Sequence, residues 1–152
     1  MISDKQLVKI MIDECGEYLK KSTKIAEKAH KRQTRKMGAD KGKPYIIHPK
    51  RIASKFNNRI MASIAMLHDV LEDTDVTDGD LVKEGIPLYI IDIVKILSKR
   101  DGENYLDFIL RIKNNIHATQ IKIADIEDNL SSLQDGSLKD KYILALYILK
   151  HE

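Results

Sequence analysis

Residues 59–73 read RIMASIAMLHDVLED, and this stretch decides the fold. Apolar residues occupy most of it, so a helix from about Arg59 to Glu72 would be apolar on nearly every side. Such a helix is stable only when other helices cover it, which predicts that it lies at the centre of the domain. Its end is charged, because His68-Asp69 is followed by Glu72-Asp73.

The rest of the chain repeats its apolar residues with the 3.6-residue period of helices, and no run alternates as a strand would. We therefore predict an all-α fold of about seven to eight helices. A length of 152 residues allows one sizeable core but not two, so residues 1–152 should form a single domain. Capping boxes are expected at Thr77 with Asp80 and at Ser137 with Asp140.

The composition excludes several classes of protein. A net charge of +3 is too small to indicate nucleic-acid binding, and no nucleic-acid-binding motif is present. No apolar run approaches the roughly 18 residues that span a bilayer. The single cysteine, Cys15, is typical of a reducing compartment, so we expect a cytoplasmic protein. The sequence leaves the oligomeric state open.

The charged end of the central helix suggests a metal site. Carboxylates at the carboxyl end of a helix oppose its dipole, and burying them is costly without a cation. His68 and Glu72 lie four residues apart, as do Asp69 and Asp73, so each pair shares a helix face. The alternative is a core histidine beside a solvated acidic helix end.

Two further residues favour the metal. His48 follows the apolar approach Tyr45-Ile46-Ile47, and Asp125 is flanked by apolar residues on a predicted helix. With His68 and Asp69 they would supply two imidazole nitrogens and two carboxylate oxygens, a set that suits manganese, iron or zinc. Four protein ligands leave room for water and a phosphate oxygen. Lys99, in the loop of residues 98–103, is a candidate phosphate contact.

These motifs together resemble a known family. The motifs, in chain order, are residues 29–36 (AHKRQTRK), His48-Pro49, His68-Asp69 with Glu72-Asp73, and residues 122–125 (KIAD) with Asn129. They resemble the HD hydrolase domain of Rel/Spo-type alarmone enzymes from about residue 29 to residue 133. The resemblance implies an HD-type helical domain.

The resemblance also implies a reaction and a role for each residue. The family removes the 3′-pyrophosphate of guanosine tetra- and pentaphosphate, usually with manganese. The resemblance implies that four residues hold the metal: His48, His68, Asp69 and Asp125. It also implies that Glu72 and Asp73 position and activate water. By the same resemblance, Arg35 packs on the base beside Lys36, Asn129 lies at the nucleoside end, and Ser132 contacts the sugar.

The chain departs from the family in several places, and two of these departures keep other readings open. The loop of residues 39–43 is longer than the family's turn, and Glu127-Asp128 add acid near an expected phosphate site. The substrate could therefore be another nucleotide, either a nucleoside monophosphate or a phosphorylated dinucleotide. A non-catalytic nucleotide-sensing module is the third reading, although all six metal and acid positions are filled.

Overall fold

Nine helical segments build the fold in the computed structural model, which describes residues 2–151. They are α1 (Asp4–Ala29), α2 (Ile47–Ala53), α3 (Arg59–Leu67), α4 (Val70–Asp73), α5 (Asp78–Lys83), α6 (Leu88–Leu97), α7 (Tyr105–Lys113), α8 (Ile116–Ser132) and α9 (Ser137–Lys150). Within residues 2–151 no strand forms, and the β-structure is limited to an isolated bridge between Thr34 and Pro44. The all-α prediction is confirmed. Met1 and Glu152 belong to the predicted 1–152 domain but lie outside the described residues.

Helix α3 is the centre of the fold, as its apolar sequence predicts. Every residue from Met61 to Leu67 is buried, and α1, α2, α6 and α8 pack around the helix. Asn58 fixes where α3 begins, because its side chain accepts hydrogen bonds from the amides of Ile60 and Met61. The surrounding helices thus meet at one central element, and the residues at its end lie deep in the domain.

The predicted helix from Arg59 to Glu72 is interrupted in the structure. Helix α3 ends at Leu67, His68 and Asp69 form a turn, and α4 begins at Val70. The amide of Asp73 still donates to the carbonyl of Asp69 at 2.9 Å. If α3 and α4 are counted as one interrupted helix, the described residues form eight helices, which agrees with the predicted seven to eight. The acids therefore follow the carboxyl end of α3 and do not belong to that helix.

The segment between α1 and α2 folds against the end of α8. The amide of Arg35 donates to the carbonyl of Lys43 at 2.9 Å, and the amide of Ala39 donates to the carbonyl of Ser132 at 3.0 Å. Gly38 has a φ of 76°, and a Cβ there would clash with the backbone of Ser132. Glycine is therefore required at this contact. The loop of residues 38–43 is in this way fixed beside Ser132.

The two predicted capping boxes have different outcomes. Thr77 and Asp80 form theirs at the start of α5. Gly136 is the N-cap of α9 and Ser137 is already helical, so the capping box predicted at Ser137 is wrong. No helix within residues 2–151 combines the length and the apolar character needed to cross a membrane.

Candidate metal centre and active site

Three structural elements bring the predicted metal ligands together. His48 comes from the first turn of α2, His68 and Asp69 from the turn after α3, and Asp125 from the middle of α8. Helices α2, α3 and α8 pack against one another in pairs. His48, His68 and Asp125 are almost completely buried. The packing of three helices, and not proximity in sequence, therefore assembles the cluster.

The four side chains point their donor atoms at a common position. Nε2 of His48 lies 3.0 Å from Oδ1 of Asp125, and Nε2 of His68 lies 2.8 Å from Oδ2 of Asp69. The remaining nitrogen–oxygen distances, His48 to Asp69 and His68 to Asp125, are 3.9 and 3.8 Å. One ligand atom from each of His48, His68 and Asp125 lies within 4.8 Å of the other two.

The hydrogen bond at Nδ1 of His68, the ring nitrogen that faces away from the cluster, indicates that a cation fits this cluster. Nδ1 of His68 lies 2.7 Å from the carbonyl oxygen of Ala65, which can only accept, so Nδ1 carries the proton. The Nε2 of a neutral His68 then presents a lone pair, and this buried atom has no hydrogen-bond partner. Lone pairs and carboxylate oxygens facing one another repel unless a cation lies between them. The donor set of two nitrogens and two oxygens suits a divalent transition metal.

The electrostatics of the cluster also favour a bound positive charge. Burial lowers the pKa of His68, but the neighbouring Asp69 and Asp125 outweigh burial and raise it to about 10. Burial acts to raise the pKa of Asp125, yet Lys122 and the two histidines hold it well below its usual range. The carboxylates of Asp69 and Asp125 stabilise a positive charge on His68, and they would stabilise a metal ion between these residues in the same way.

Glu72 and Asp73, the predicted acidic pair, lie at the rim of the cluster and are exposed to the adjoining cavity. Partial burial against the cavity wall, with the charges of Asp69 and Glu72, raises the pKa of Asp73 to about 6. Glu72 accepts a 2.9 Å hydrogen bond from the amide of Lys99. Asp73 is thus a carboxyl group whose pKa lies close to neutrality, which suits proton transfer.

A cavity of about 700 Å³ opens over the cluster. Ten of the eleven predicted site residues line it: Arg35, Lys36, His48, Asp69, Glu72, Asp73, Lys99, Asp125, Asn129 and Ser132. His68 completes the cluster from a buried position. A wall of Tyr105, Phe108, Lys141 and Tyr142, which the sequence analysis did not predict, faces them from α7 and α9.

The predicted nucleotide contacts already touch one another. Nη2 of Arg35 donates to Oδ1 of Asn129 at 2.7 Å, and the guanidinium lies 5.6 Å from the centre of the Tyr45 ring. The hydroxyl of Ser132 donates to the carbonyl of Asn129 at 3.2 Å. Lys36 and Lys99 are exposed at the mouth of the cavity. Exposed lysines and the exposed acids Glu72 and Asp73 therefore line the same cavity.

Sequence reasoning missed two residues that support the metal ligands. The hydroxyl of Tyr45 donates to Oδ2 of Asp69. Asp128 is buried, with Oδ2 2.6 Å from Nδ1 of His48. Glu127 and Asp128, which the sequence analysis expected near a phosphate site, do not line the cavity, and Glu127 pairs with Lys150 on the surface. A one-turn spacing from Asp125 was the available signal for Asp128.

Sequence comparison relates the chain to bacterial alarmone enzymes. It is 33% identical over 144 residues to guanosine-3′,5′-bis(diphosphate) 3′-pyrophosphohydrolase of Vibrio cholerae, covering 81% of this chain and 19% of that protein. The same-named protein of Haemophilus influenzae is 36% identical over 132 residues, covering 76% and 18%. The bifunctional (p)ppGpp synthase/hydrolase SpoT of Escherichia coli is 31% identical over 138 residues, covering 80% and 18%. The chain thus spans about a fifth of the length of these relatives.

Comparison with solved structures finds one with a similar fold. A solved structure described as a metazoan orthologue of SpoT that hydrolyses ppGpp aligns with a TM-score of 0.68, covering 87% of this chain and 83% of that one. At 21% sequence identity the likeness establishes the fold alone, an all-α domain. No protein-family model matches the chain.

Proposed function

Because the chain is a homologue of a segment of the guanosine-3′,5′-bis(diphosphate) 3′-pyrophosphohydrolases, we propose that it is a metal-dependent phosphohydrolase that removes pyrophosphate from the 3′ position of that nucleotide. The observation that carries the proposal is the convergence of His48, His68 and Asp125, whose ligand atoms lie within 4.8 Å of one another beneath the cavity. Asp69 joins them from the same turn as His68. All ligands of the proposed site are present.

Manganese is the metal proposed for these four ligands, since the family usually uses it and the mixed nitrogen and oxygen donors accept it. When bound, such a cation polarises a phosphate oxygen and lowers the pKa of water. His48 and His68 would hold it through Nε2, and Asp69 and Asp125 through carboxylate oxygens. The lone-pair arrangement of these atoms supports this assignment.

The chain's own acids would manage the water and its proton. Glu72 and Asp73 face the cavity next to Asp69, so they can hold a water molecule without occupying ligand positions. A carboxyl group whose pKa is near 6 is largely ionised at neutral pH and can accept the proton of the attacking water. The proton-accepting role is assigned to Asp73, with Glu72 as the orienting partner.

The basic residues would bind the nucleotide. Lys36 and Lys99 are proposed to contact phosphate groups at the cavity mouth, and Arg35 to pack on the base. Asn129 and Ser132 would contact the nucleoside from α8. The reaction adds water across the bond between the ribose 3′ oxygen and phosphorus, releasing pyrophosphate and guanosine 5′-diphosphate.

The single cysteine remains the support for the proposed cytoplasmic location.

A second candidate keeps the chemistry and changes the nucleotide. The loop of residues 38–43 packs on Ser132 through the hydrogen bond from Ala39, directly beside the proposed sugar contact. A loop in this position can alter which base or sugar the cavity accepts. A nucleoside monophosphate or a phosphorylated dinucleotide is therefore the alternative substrate.

A nucleotide panel tests the proposal. Purified protein with manganese is incubated with guanosine 3′,5′-bis(diphosphate), nucleoside monophosphates and phosphorylated dinucleotides, and the released phosphate and pyrophosphate are measured. Pyrophosphate release from the guanosine substrate, absent in the Asp69→Ala variant, is the expected result. Turnover of another nucleotide alone would transfer the assignment to the second candidate, and binding without any turnover would indicate a sensing module.

A further inference from the structure

Asp128 lies one helical turn after Asp125 on α8 and is buried, with 5% of its surface exposed. Its Oδ2 is 2.6 Å from Nδ1 of His48, the ring nitrogen that faces away from the metal cluster. The outer nitrogen of a metal-binding histidine commonly donates to a carboxylate, which fixes the ring and its tautomer. Asp128 stands in that place for His48.

Arg51 donates hydrogen bonds to the carboxylate of Asp128 from two nitrogens. Its Nε donates to Oδ1 of Asp128 at 2.7 Å, and its Nη2 donates to Oδ2 at 2.9 Å. A guanidinium can only donate, so both oxygens of Asp128 are acceptors and the histidine must be the donor. Nδ1 of His48 then carries a proton, and a neutral His48 presents the lone pair of Nε2 to the cluster.

The chain of contacts continues into the loop that is longer than the family's turn. Nη2 of Arg51 also donates to Oδ2 of Asp40 at 2.7 Å, and Nζ of Lys43 donates to Oδ1 of Asp40 at 2.8 Å. Asp40 is buried although it belongs to a loop. The loop thus reaches the metal cluster by a continuous series of hydrogen bonds through Arg51 and Asp128.

From this geometry we propose that Asp128 is a positioning residue that holds His48 in the ring orientation and tautomer needed for metal binding. Arg51 holds Asp128, and Asp40 in turn holds Arg51. The inference rests on the proposed metal site. The inference assigns Asp128 to metal affinity and not to phosphate repulsion. Partners of this kind typically change metal affinity by about ten- to a hundredfold.

Metal affinity of the full chain is the direct test. Metal-free protein is titrated with Co²⁺, and the dissociation constant is measured for the wild type, Asp128→Asn, Asp40→Asn and Glu127→Gln. Asp128→Asn should weaken binding about ten- to a hundredfold, and Asp40→Asn should weaken it less. Glu127→Gln is the matched control, since Glu127 is the adjacent acid on α8 and pairs with Lys150 at the surface, so its affinity should be unchanged.

A second readout separates positioning from general stability. Long-range ¹H–¹⁵N spectra of the metal-free wild type should show the His48 proton on Nδ1, and Asp128→Asn should show a mixture of tautomers. A residue with only a structural role would lower the melting temperature and leave affinity and tautomer unchanged, which would overturn the inference. If Asp128→Asn does not fold, Asp40→Asn decides, and an unaltered dissociation constant there overturns it.

The outcomes also distinguish this inference from the proposed function. A wild type that binds Co²⁺ tightly alongside an equally tight Asp128→Asn would remove the positioning role and leave the hydrolase proposal standing. A wild type that binds no Co²⁺ would overturn both the metal site and the positioning role.

Discussion

Arg35 donates a 2.7 Å hydrogen bond from Nη2 to Oδ1 of Asn129, across 94 residues of sequence. Nδ2 of the same Asn129 donates to Oδ1 of Asp125 at 3.0 Å. The residue proposed to pack on the base is therefore linked to a proposed metal ligand through one amide.

Replacement of Arg35 tests its role in binding the base. A base contact is equally strong in the ground and transition states, so Arg35→Ala should raise KM and leave kcat nearly unchanged. A stacked guanidinium contributes roughly 1 to 2 kcal/mol, which corresponds to a rise in KM of about five- to thirtyfold. Steady-state kinetics with the best substrate of the panel provides the measurement.

The matched variant for this prediction is Arg35→Lys. Lysine keeps the charge but lacks the planar face, so it should restore little of the lost affinity. An unchanged KM in Arg35→Ala would show that the base does not pack on Arg35 here. The guanosine substrate should then be abandoned first.

Changes in the acidic pair should separate chemistry from metal binding. Glu72→Gln and Asp73→Asn leave the four ligands intact, so each variant should bind metal as the wild type does. Loss of a group that orients or deprotonates water should lower kcat by roughly a hundredfold or more. Metal content by elemental analysis, measured beside turnover, checks both parts. Loss of metal comparable to that in Asp69→Ala would show that these acids are ligands.

Lys122 should stabilise the metal-free protein. Its Nζ donates to Oδ2 of Asp125 at 2.7 Å, and both side chains are largely buried, 14% and 5% exposed. Removing one partner leaves a buried charge less compensated, so Lys122→Met should lower the free energy of unfolding by about 3 kcal/mol. Denaturant unfolding in the presence of a chelator measures this change.

Lys150→Met is the control for Lys122→Met, because Lys150 of α9 pairs at the surface with Glu127, an acid of α8 like Asp125. The two side chains of that pair are 45% and 43% exposed, so its loss should cost less than about 1 kcal/mol. Equal destabilisation by the two variants would contradict the view that Asp125 depends on Lys122.

The sequence predicts most of the site because its residues are chemically conspicuous. Charged groups on an apolar helix, as at His68 and Asp69, need a compensating partner, and helical periodicity places them near the core. The contact of Asp128 with His48 and the wall containing Tyr105 and Tyr142 were not predicted. Their roles depend on how α7, α8 and α9 pack, and no local pattern encodes that packing.

The interruption at His68 and Asp69 has a similar explanation. Residues 59–73 contain no glycine or proline, so nothing in the local sequence ends the helix at Leu67. In the structure Nδ1 of His68 donates to the carbonyl of Ala65, a local contact, and Asp69 accepts from Tyr45, a tertiary contact, and both accompany the turn. Tertiary structure here overrides local propensity, and the turn directs both side chains into the cluster.

Metal dependence of turnover tests the central claim most directly. The protein is stripped of metal with a chelator, manganese is added back in steps, and pyrophosphate release from guanosine 3′,5′-bis(diphosphate) is followed at each step. Hydrolysis should be absent in the stripped protein and should reach its maximum once one metal ion per chain is bound, because the four proposed ligands would form one site. Full activity of the metal-free protein would contradict the account.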